Sequence, residues 1–479
     1  MSNMQNYEAK TQALPHQIEA VNYIDQHQEI ALFDEQGLGK TKIVIEALCL
    51  AMKRGEIEGV LVVAPMSLLY NWEQEVSKHS FLIPIVLKGT RREKRYKFLT
   101  GANFYITNYE AVIAELERIK RFCKSFNIAI VLDESARIKD PLTQTAKALF
   151  ELRAFSKKRI IISGTPVANK PADLWAQYFF LDGGKLFGDD FNVFKSHFNE
   201  KDSAYRIQLQ DLQKQVTAHS IRRCKNDVLE LPEKIFTNIY VELCGKQLDM
   251  YVTLREELRL EVARISGEII IDEADNILKK LLRLTQIASN PALIDKSYSE
   301  EPAKYLMLDS LINDVILRSE KAIIWTGFVE NILLLKNRFS IHKPLVIYGD
   351  VPIKERADIV KDFQESDINK ILIANPSAAR EGLTLTRANN AIYLDRNFNL
   401  VDYLQSQDRI HRISQDKECN IYKIMAKNSI DEYIDRIIEV KKDIAQFVQG
   451  DSNEVALDSF EFLLNKSELL NLLGGQHGS

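Results

Sequence analysis

The sequence of 479 residues lacks the features that mark membrane, exported or disulfide-rich proteins. No segment approaches the roughly 20 uninterrupted apolar residues of a membrane span. The first residues, MSNMQNYEAKTQALPHQ, have no basic stretch followed by an apolar one, which export signals require. The five cysteines are far apart and form no CxxC pair, so neither a zinc site nor a disulfide framework is predicted. We therefore expect a soluble, cytoplasmic protein that does not associate with membranes.

An excess of positive charge is also missing. The chain carries 63 Lys and Arg against 67 Asp and Glu, so it has no overall attraction to a polyanion. A surface for nucleic acid must then be built from local clusters of basic residues. Two such clusters are present, one from Lys88 to Lys97 and one from Arg118 to Lys124. Each is either a phosphate contact or a solvated helix face.

Length and hydrophobic patterning predict an α/β fold with two similar lobes. The chain is longer than one hydrophobic core usually covers. Short apolar runs alternate with longer amphipathic stretches, which is typical of parallel strands joined by helices. The predicted strands are Ile30 to Phe33, Val60 to Ala64, Phe104 to Thr107, Ile128 to Leu132 and Ile160 to Ser163, and then Ala322 to Thr326, Leu345 to Tyr348, Ile371 to Ala374, Ala391 to Leu394 and Asn420 to Met425.

The region between the two series, from about 172 to 310, has a charged, helical pattern and is predicted to lie outside both sheets. A joint is expected at Leu231-Pro232-Glu233-Lys234, because proline ends the preceding helix. The predicted domains are an N-terminal lobe over 1–232 with a helical protrusion from about 172, a linker and second helical protrusion over 233–310, and a C-terminal lobe with a helical tail over 311–479.

A glycine-containing segment between a predicted strand and a predicted helix indicates a phosphate site. In Gly37-Leu38-Gly39-Lys40-Thr41, the glycines let backbone N–H groups turn toward phosphate oxygens, and the lysine reaches the β and γ phosphates. Thr41 would supply a hydroxyl to Mg²⁺. The strict pattern G-x-x-x-x-G-K-[ST] is not met, because Asp34 stands at its first glycine. The segment predicts ATP binding, with a chance occurrence of GxGKT as the alternative.

Two carboxylates follow the predicted strand Ile128 to Leu132. Acidic residues at the carboxyl end of such a strand lie beside the phosphate loop of a parallel sheet. Asp133 would hold Mg²⁺ through water, and Glu134 would accept the proton of the attacking water. The alternative interpretation is a solvated pair of acids at a strand end.

The motifs around this site resemble those of the SNF2 family of superfamily 2 helicase-like ATPases. The resemblance covers roughly Leu14 to Ile438, and Asp34 before the glycines is part of the family pattern. Asn71-Trp72 and, after GTP, Asn169 with Leu174-Trp175 resemble features specific to SNF2 members. The segments that carry the resemblance are LPHQ, DEQGLGKT, APMSLLYNWEQEV, ITNYEAV, LDESARIKD, SGTPVANKPADLW and IRRCKNDVLELPEK, followed by Trp325-Thr326, IYGD, REGLTLTRANNAIYLDRNFN and QSQDRIHRISQ.

The resemblance implies two tandem RecA-like lobes and assigns further roles. Gln17 would read adenine, Gly382 would belong to the nucleotide site, and Gln405 would sense the γ phosphate. Arg409 and Arg412 would reach across from the second lobe, where guanidinium groups stabilise the charge that grows on the transferred phosphoryl oxygens. Segments assigned to nucleic-acid backbone contact contain Thr107, Asn108, Asn169, Thr384 and Arg387, for each of which turn or strand-end hydrogen bonding is the alternative.

Three departures from the family pattern bear on coupling between the lobes. Ala136 stands where the DEAH or DESH form has histidine, which helps to link the phosphate site to the other lobe. Ala379 and Arg380 replace two glycines before Gly382, and Ser414 replaces the glycine that usually ends its motif. We expect these changes to affect coupling and the second lobe's grip on the backbone, while hydrolysis is kept.

The sequence therefore predicts an ATP- and Mg²⁺-dependent translocase that moves along double-stranded DNA and remodels DNA or protein–DNA complexes. Its contacts should be mainly to phosphate, because a moving enzyme cannot depend on base sequence. We expect a monomer, and a protein partner that supplies targeting stays open. The alternatives are a strand-separating superfamily 2 helicase, the motor subunit of a restriction or defence system, and a nucleotide-dependent binding switch that does not hydrolyse ATP.

Overall fold

The structure is a computed structural model that describes residues 6–198, 204–264, 271–379 and 383–452. The chain forms two compact units. Unit 1 comprises Met1–Glu230 and Asp443–Val455, and unit 2 comprises Leu231–Lys442 and Ala456–Ser479. The boundary predictions did not anticipate that Asp443–Val455 belongs to unit 1. The predicted site residue Gly382, its neighbour Arg380 and the predicted tail beyond Ser452 lie outside the described residues.

Unit 1 is built on a parallel sheet of six strands in the order β1-β6-β5-β2-β4-β3. All residues of β2 and β5 are buried, because a parallel sheet is covered by helices on both faces. The strands β1 and β5 each end at a segment of the predicted phosphate site. The strands are β1 (Glu29–Leu32), β2 (Gly59–Ala64), β3 (Pro84–Val86), β4 (Phe104–Asn108), β5 (Ile128–Asp133) and β6 (Lys158–Ile162).

Ten helices lie wholly within the described residues of unit 1, and the helix Ile430–Gln449 (α18) passes from unit 2 into unit 1 at Asp443. The one that follows β1 is buried along most of its length and packs Ile43 and Leu48 into the same core as Val60 and Val131. The helices are α1 (Pro15–Gln26), α2 (Lys40–Lys53), α3 (Leu69–His79), α4 (Arg91–Phe98), α5 (Tyr109–Ser125), α6 (Gln144–Arg153), α7 (Trp175–Asp182), α8 (Phe191–Ser196), α9 (Tyr205–Ala218) and α10 (Lys225–Val228), with 3₁₀ turns at Met66–Leu68, Ser135–Ile138 and Pro171–Leu174.

Unit 2 repeats the architecture of unit 1. Its parallel sheet has the order β7-β12-β11-β8-β10-β9, so both sheets run first, sixth, fifth, second, fourth, third in their own chain order. The predicted fold class of two tandem RecA-like α/β lobes is thereby confirmed. The strands are β7 (Lys234–Val241), β8 (Ala322–Trp325), β9 (Leu345–Ile347), β10 (Ile371–Ala374), β11 (Asn390–Tyr393) and β12 (Cys419–Ala426).

The prediction for the helical region between the two series of strands is wrong in one part. Residues 172–310 were expected to lie outside both sheets, but β7 is an edge strand of the second sheet and pairs with β12 along eight residues. Its burial alternates between partly buried and exposed positions, which is the pattern of a half-covered edge strand. Pro232 therefore precedes a strand, and the second sheet begins directly after the joint.

In the core of unit 2, Leu308 of α13 (Ala303–Leu317) packs with Ile324 and Ile392 of the sheet. No helix in the described ranges combines the length and apolar character needed to cross a membrane. The helices are α11 (Gly245–Arg264), α12 (Ile271–Ser289), α13 (Ala303–Leu317), α14 (Val329–Arg338), α15 (Ile353–Glu365), α16 (Pro376–Ala379), α17 (Leu400–Gln407) and α18 (Ile430–Gln449), with 3₁₀ turns at Pro291–Leu293 and Ser340–His342.

Candidate active site

The phosphate loop joins β1 to α2 and depends on two glycines with left-handed backbone. Gly37 has φ 91° and Gly39, the N-cap of α2, has φ 81°. Side chains other than glycine rarely adopt this conformation. The loop ends at the first turn of α2, where backbone N–H groups lack helical partners and favour an anion. The local geometry is therefore that of a phosphate cradle.

Lys40 occupies the first position of α2 and is held by the loop itself. Its Nζ donates to the carbonyl oxygens of Asp34 at 2.7 Å and Glu35 at 3.2 Å. Desolvation lowers the pKa of Lys40, and the nearby carboxylates of Glu134, Asp34 and Asp133 oppose that effect. The predicted lysine and both predicted carboxylates are thus brought together at one end of the sheet.

The side chain of Gln17 lies against the phosphate loop. Its Nε2 donates to the carbonyl oxygen of Leu38 at 3.3 Å, and its Oε1 accepts the backbone N–H of Leu14 at 3.1 Å. A Cβ built on Gly39 would lie 2.5 Å from Gln17 Nε2. The glycine is therefore needed for its backbone conformation, and a side chain in its place would displace the amide of Gln17.

Asp133 and Glu134 terminate β5, and each is fixed in a specific way. The carboxylate of Asp133 accepts the backbone N–H of Glu134 on Oδ1 at 2.9 Å and the indole N–H of Trp72 on Oδ2 at 2.7 Å. Glu134 has φ 51° and ψ 52°, a left-handed conformation that is uncommon without glycine and is often found at functional sites. The proposed general base is thus on strained backbone beside the proposed metal carboxylate.

The oxygen donors of this site fit a magnesium ion. Asp133 supplies a carboxylate and Thr41, the second residue of α2, supplies a hydroxyl. Mg²⁺ prefers oxygen ligands and usually keeps several waters, so one or two protein donors beside a triphosphate satisfy it.

A buried chain of hydrogen bonds joins the DES segment to the GTP segment. Ser135 Oγ donates to Gln177 Oε1 at 2.7 Å, and Gln177 Nε2 donates to the carbonyl oxygens of Pro166 at 2.8 Å and Asp173 at 2.9 Å. Both Ser135 and Gln177 are fully buried. Sequence reasoning did not identify Gln177, because nothing in its local pattern distinguishes it from another helix residue.

The basic segment Ile221 to Lys225 borders the same site. Arg222 donates to the carbonyl oxygen of Gly164 at 3.2 Å. It also forms a bidentate ion pair with Asp451, with Nε to Oδ1 at 3.0 Å and Nη2 to Oδ2 at 2.6 Å. Arg223 pairs with the carboxylate of Asp34, with Nε to Oδ1 at 3.0 Å. The acidic residue at the position of the first glycine therefore anchors this segment to the phosphate loop.

Unit 2 holds Gln405 and Arg409 at the end of α17, and both side chains are buried. Arg409 Nε donates to the backbone oxygen of Gln405 at 2.8 Å, and one terminal nitrogen donates to that of Leu383 at 3.1 Å. The guanidinium is therefore oriented by its own unit.

Arg412 is oriented in a similar way. Its Nε donates to the backbone oxygen of Asp408 at 3.0 Å, and Nη1 donates to Thr384 Oγ1 at 2.8 Å. Burial lowers the pKa of Arg412, although a guanidinium stays charged. The hydroxyl of Thr384, a predicted nucleic-acid contact, is engaged with this arginine.

The other predicted nucleic-acid contacts differ in exposure. Thr107 and Asn108 end β4 with their side chains buried, and Asn169 is partly buried with its backbone N–H donated to Asp173 at 2.7 Å. Arg387 is 60% exposed and donates to Asp367 at 3.3 Å. Among these residues, Arg387 presents the most accessible charge.

The structure distinguishes the two basic clusters of the sequence. In the second cluster, Arg118 pairs with Glu115, and Lys120 pairs with both Glu117 and Glu151. In the first cluster Lys94 lies 3.8 Å from Glu115 and Lys97 donates to the carbonyl oxygens of Val86 and Lys88, whereas the arginines of α4 are exposed. The first cluster therefore presents three exposed guanidinium groups, those of Arg91, Arg92 and Arg95.

The repeated six-stranded sheets, the phosphate loop and the two carboxylates define a two-lobed P-loop nucleotide hydrolase. Residues 16–293 match the SNF2-related domain, and residues 303–414 match the helicase conserved C-terminal domain. The chain belongs to the SNF2 family of superfamily 2 helicase-like ATPases and is an enzyme of that ATP-hydrolysing class.

Curated relatives include an uncharacterized ATP-dependent helicase of Mycoplasma genitalium, 29% identical over 90% of this chain and 42% of its own length. The ISWI chromatin-remodeling complex ATPase ISW2 of Saccharomyces cerevisiae is 28% identical over 84% of this chain and 37% of its own length. The chain thus spans about two fifths of these relatives. The solved Sulfolobus solfataricus SWI2/SNF2 ATPase core in complex with dsDNA is 28% identical, with coverage of 98% and 99% and a TM-score of 0.44.

Proposed function

We propose that this chain is an ATP-dependent translocase that moves along double-stranded DNA and remodels DNA or protein–DNA complexes. The observation that supports the proposal is that unit 1 has a phosphate loop with Lys40 beside Asp133 and Glu134, while unit 2, of the same fold, has arginines oriented by hydrogen bonds. A nucleotide hydrolase needs the first alone, whereas a motor also needs a second lobe that responds to the nucleotide. The printed name of the yeast relative, a chromatin-remodeling ATPase, supports the remodelling part.

In the proposed hydrolysis, each site residue has one task. Lys40 holds the β and γ phosphates, and Glu134 accepts the proton of the attacking water. Asp133 and Thr41 hold Mg²⁺, which neutralises phosphate charge when bound. Arg409 and Arg412 stabilise the charge on the transferred group, an effect of about 10³ to 10⁵ in rate where such arginines have been removed.

Movement requires that the protein grip DNA without reading it. Contacts to phosphate satisfy this requirement, since they carry no sequence information directly. Arg387 is an exposed guanidinium in a segment assigned to backbone contact, and its partner Asp367 is itself 91% exposed, so the pair is weak and easily exchanged for a phosphate. Binding should therefore weaken steeply with salt.

The test is the ATPase rate with blunt duplex, single-stranded, forked and RNA ligands at two salt concentrations. We expect duplex DNA to stimulate most, and the apparent affinity for DNA to fall at the higher salt concentration. Lys40→Ala should abolish turnover, whereas Lys53→Ala, at the exposed end of the same helix, should not. Glu134→Gln should bind ATP without cleaving it. Equal stimulation by RNA would contradict the duplex assignment, and undiminished turnover in Glu134→Gln would remove the general base.

A strand-separating helicase is the second candidate, because the Mycoplasma genitalium relative bears the name of an ATP-dependent helicase. A strand-displacement assay on a tailed duplex separates the two. Displacement of a strand at a rate that matches ATP turnover would favour the helicase. Displacement of a triplex-forming third strand without duplex opening would favour the translocase.

A further inference from the structure

Trp72 stands in α3 and is almost fully buried, with 1% of its surface exposed. Its indole N–H reaches the phosphate site, where it donates to Oδ2 of Asp133 at 2.7 Å. The two residues are 61 positions apart in the chain. The Asn71-Trp72 pair was noted in the sequence, but no function was attached to it. The structure supplies a contact that links this pair to the chemistry.

The hydrogen bond completes a set that fixes Asp133 on several sides. Oδ1 accepts the backbone N–H of Glu134 at 2.9 Å, and the backbone oxygen of Asp133 accepts the hydroxyl of Tyr109 at 2.6 Å. A hydrogen-bond donor aimed at a carboxylate oxygen restricts the orientation of that carboxylate. The indole N–H of Trp72 and the backbone N–H of Glu134 therefore hold the carboxylate of Asp133 in one orientation.

We propose that Trp72 is a positioning residue for the magnesium ion, acting through its hydrogen bond to Oδ2 of Asp133. The inference rests on the proposed function, in which Asp133 holds Mg²⁺ through water. Side chains that orient a metal ligand in this way change metal affinity or activity by about 10- to 100-fold when they are removed.

A purely packing role for Trp72 predicts a different result. The indole ring belongs to the core of unit 1, together with Leu69 and Val76 of the same helix. If the ring only filled space, replacing the indole N–H would change stability and leave metal binding intact. The two roles are separated by a measurement of metal binding in which no turnover occurs.

The experiment compares Trp72→Phe with a chain that carries 3-benzothienylalanine at position 72, an analogue that keeps the shape of the indole and lacks its N–H. The dissociation constant of a fluorescent ADP analogue is measured with Mg²⁺ and with chelator. The ratio of the two constants gives the gain in nucleotide affinity that the metal provides. We expect this gain to fall about 10-fold or more in both variants, with the metal-free constant unchanged.

Trp175→Phe is the matched control. Its indole N–H donates to the carbonyl oxygen of Gly188 at 3.2 Å, in the same unit, and its ring is also buried. The substitution removes an equivalent indole hydrogen bond that does not involve Asp133, so the metal-dependent gain should be that of the unaltered chain.

Asp133→Asn separates failure of this inference from failure of the proposed site. If Asp133→Asn abolishes the metal-dependent gain and the benzothienyl variant keeps it, the positioning role of Trp72 is overturned and the metal site stands. If Asp133→Asn also keeps the gain, the assignment of Asp133 to magnesium is wrong, and the inference falls with it. Should Trp72→Phe fail to fold, the benzothienyl variant decides alone.

Discussion

Arg222 and Asp451, which are 229 positions apart in the chain, form a bidentate ion pair inside unit 1. The same guanidinium donates to the carbonyl oxygens of Phe33 and Gly164, which follow β1 and β6. Asp451 therefore neutralises the guanidinium group that donates to two loops beside the phosphate site. Both side chains are largely buried, at 14% and 11% exposure.

Asp451→Asn is expected to destabilise unit 1 by about 3 kcal/mol, because removing one partner of a buried pair leaves the other charge uncompensated. Nucleotide affinity should fall as well, since Arg222 holds the loop carbonyls. Urea unfolding of the full chain and nucleotide titration measure the two effects. Asp25→Asn is the matched control, because its partner Arg54 is 41% exposed and such pairs contribute less than about 1 kcal/mol. Equal losses in the free energy of unfolding for Asp451→Asn and Asp25→Asn would contradict the prediction.

Gly39→Ala should displace the amide of Gln17 and reduce the preference for ATP over GTP. Both Gly39 and Gly55 have left-handed backbone, at φ 81° and 70°, but a Cβ at Gly55 meets nothing within 4 Å. Gly55→Ala should therefore show only the conformational cost of about 1 to 2 kcal/mol. In a Gln17→Ala background, the loss in free energy of unfolding caused by Gly39→Ala should approach the loss caused by Gly55→Ala. A double-mutant cycle measures this coupling; strict additivity would show that the two residues do not interact.

Ser135→Ala should lower kcat while the KM for ATP stays unchanged. The substitution leaves the buried Oε1 of Gln177 without the Ser135 donor and loosens the link between the DES and GTP segments, at about 1 to 3 kcal/mol in stability. The control is Ser156→Ala, a buried serine that donates to carbonyl oxygens of Ile128 and Lys158 in the same unit. Ser156→Ala should lower stability and leave kcat unchanged. Steady-state kinetics would disprove the link if both variants kept the same kcat.

Much of the fold follows from patterns local in the sequence. Ten strands were predicted close to their observed positions, because nearly all are buried apolar runs between longer amphipathic segments; in β9 only Ile347 is buried, but its residues are all apolar. The exceptions are β3, only three partly buried residues long, and β7, whose alternation was obscured by charged helices on both sides. Short or half-exposed strands carry too few apolar residues to stand out from helical surroundings.

The phosphate site could be predicted from the sequence for a related reason. The glycines and Lys40 lie in the segment that follows β1, and the Asp133-Glu134 pair lies at the end of β5, so the predicted strands place them together. The contacts that orient them are different, since Trp72 reaches Asp133 and Asp451 reaches Arg222 across long stretches of chain. No local periodicity records such a pair. The burial of Thr107 and Asn108 was likewise not visible, because it depends on neighbours from other strands.

The place of Asp451 in unit 1 has a consequence for synthesis on the ribosome. Residues up to Glu230 emerge long before position 451, so Arg222 is translated without the carboxylate that compensates it. Unit 1 acquires its final hydrogen bonds only after the second sheet has left the exit tunnel. Premature termination anywhere before Asp451 would thus yield a chain whose nucleotide loops lack a support, and such fragments should be readily degraded.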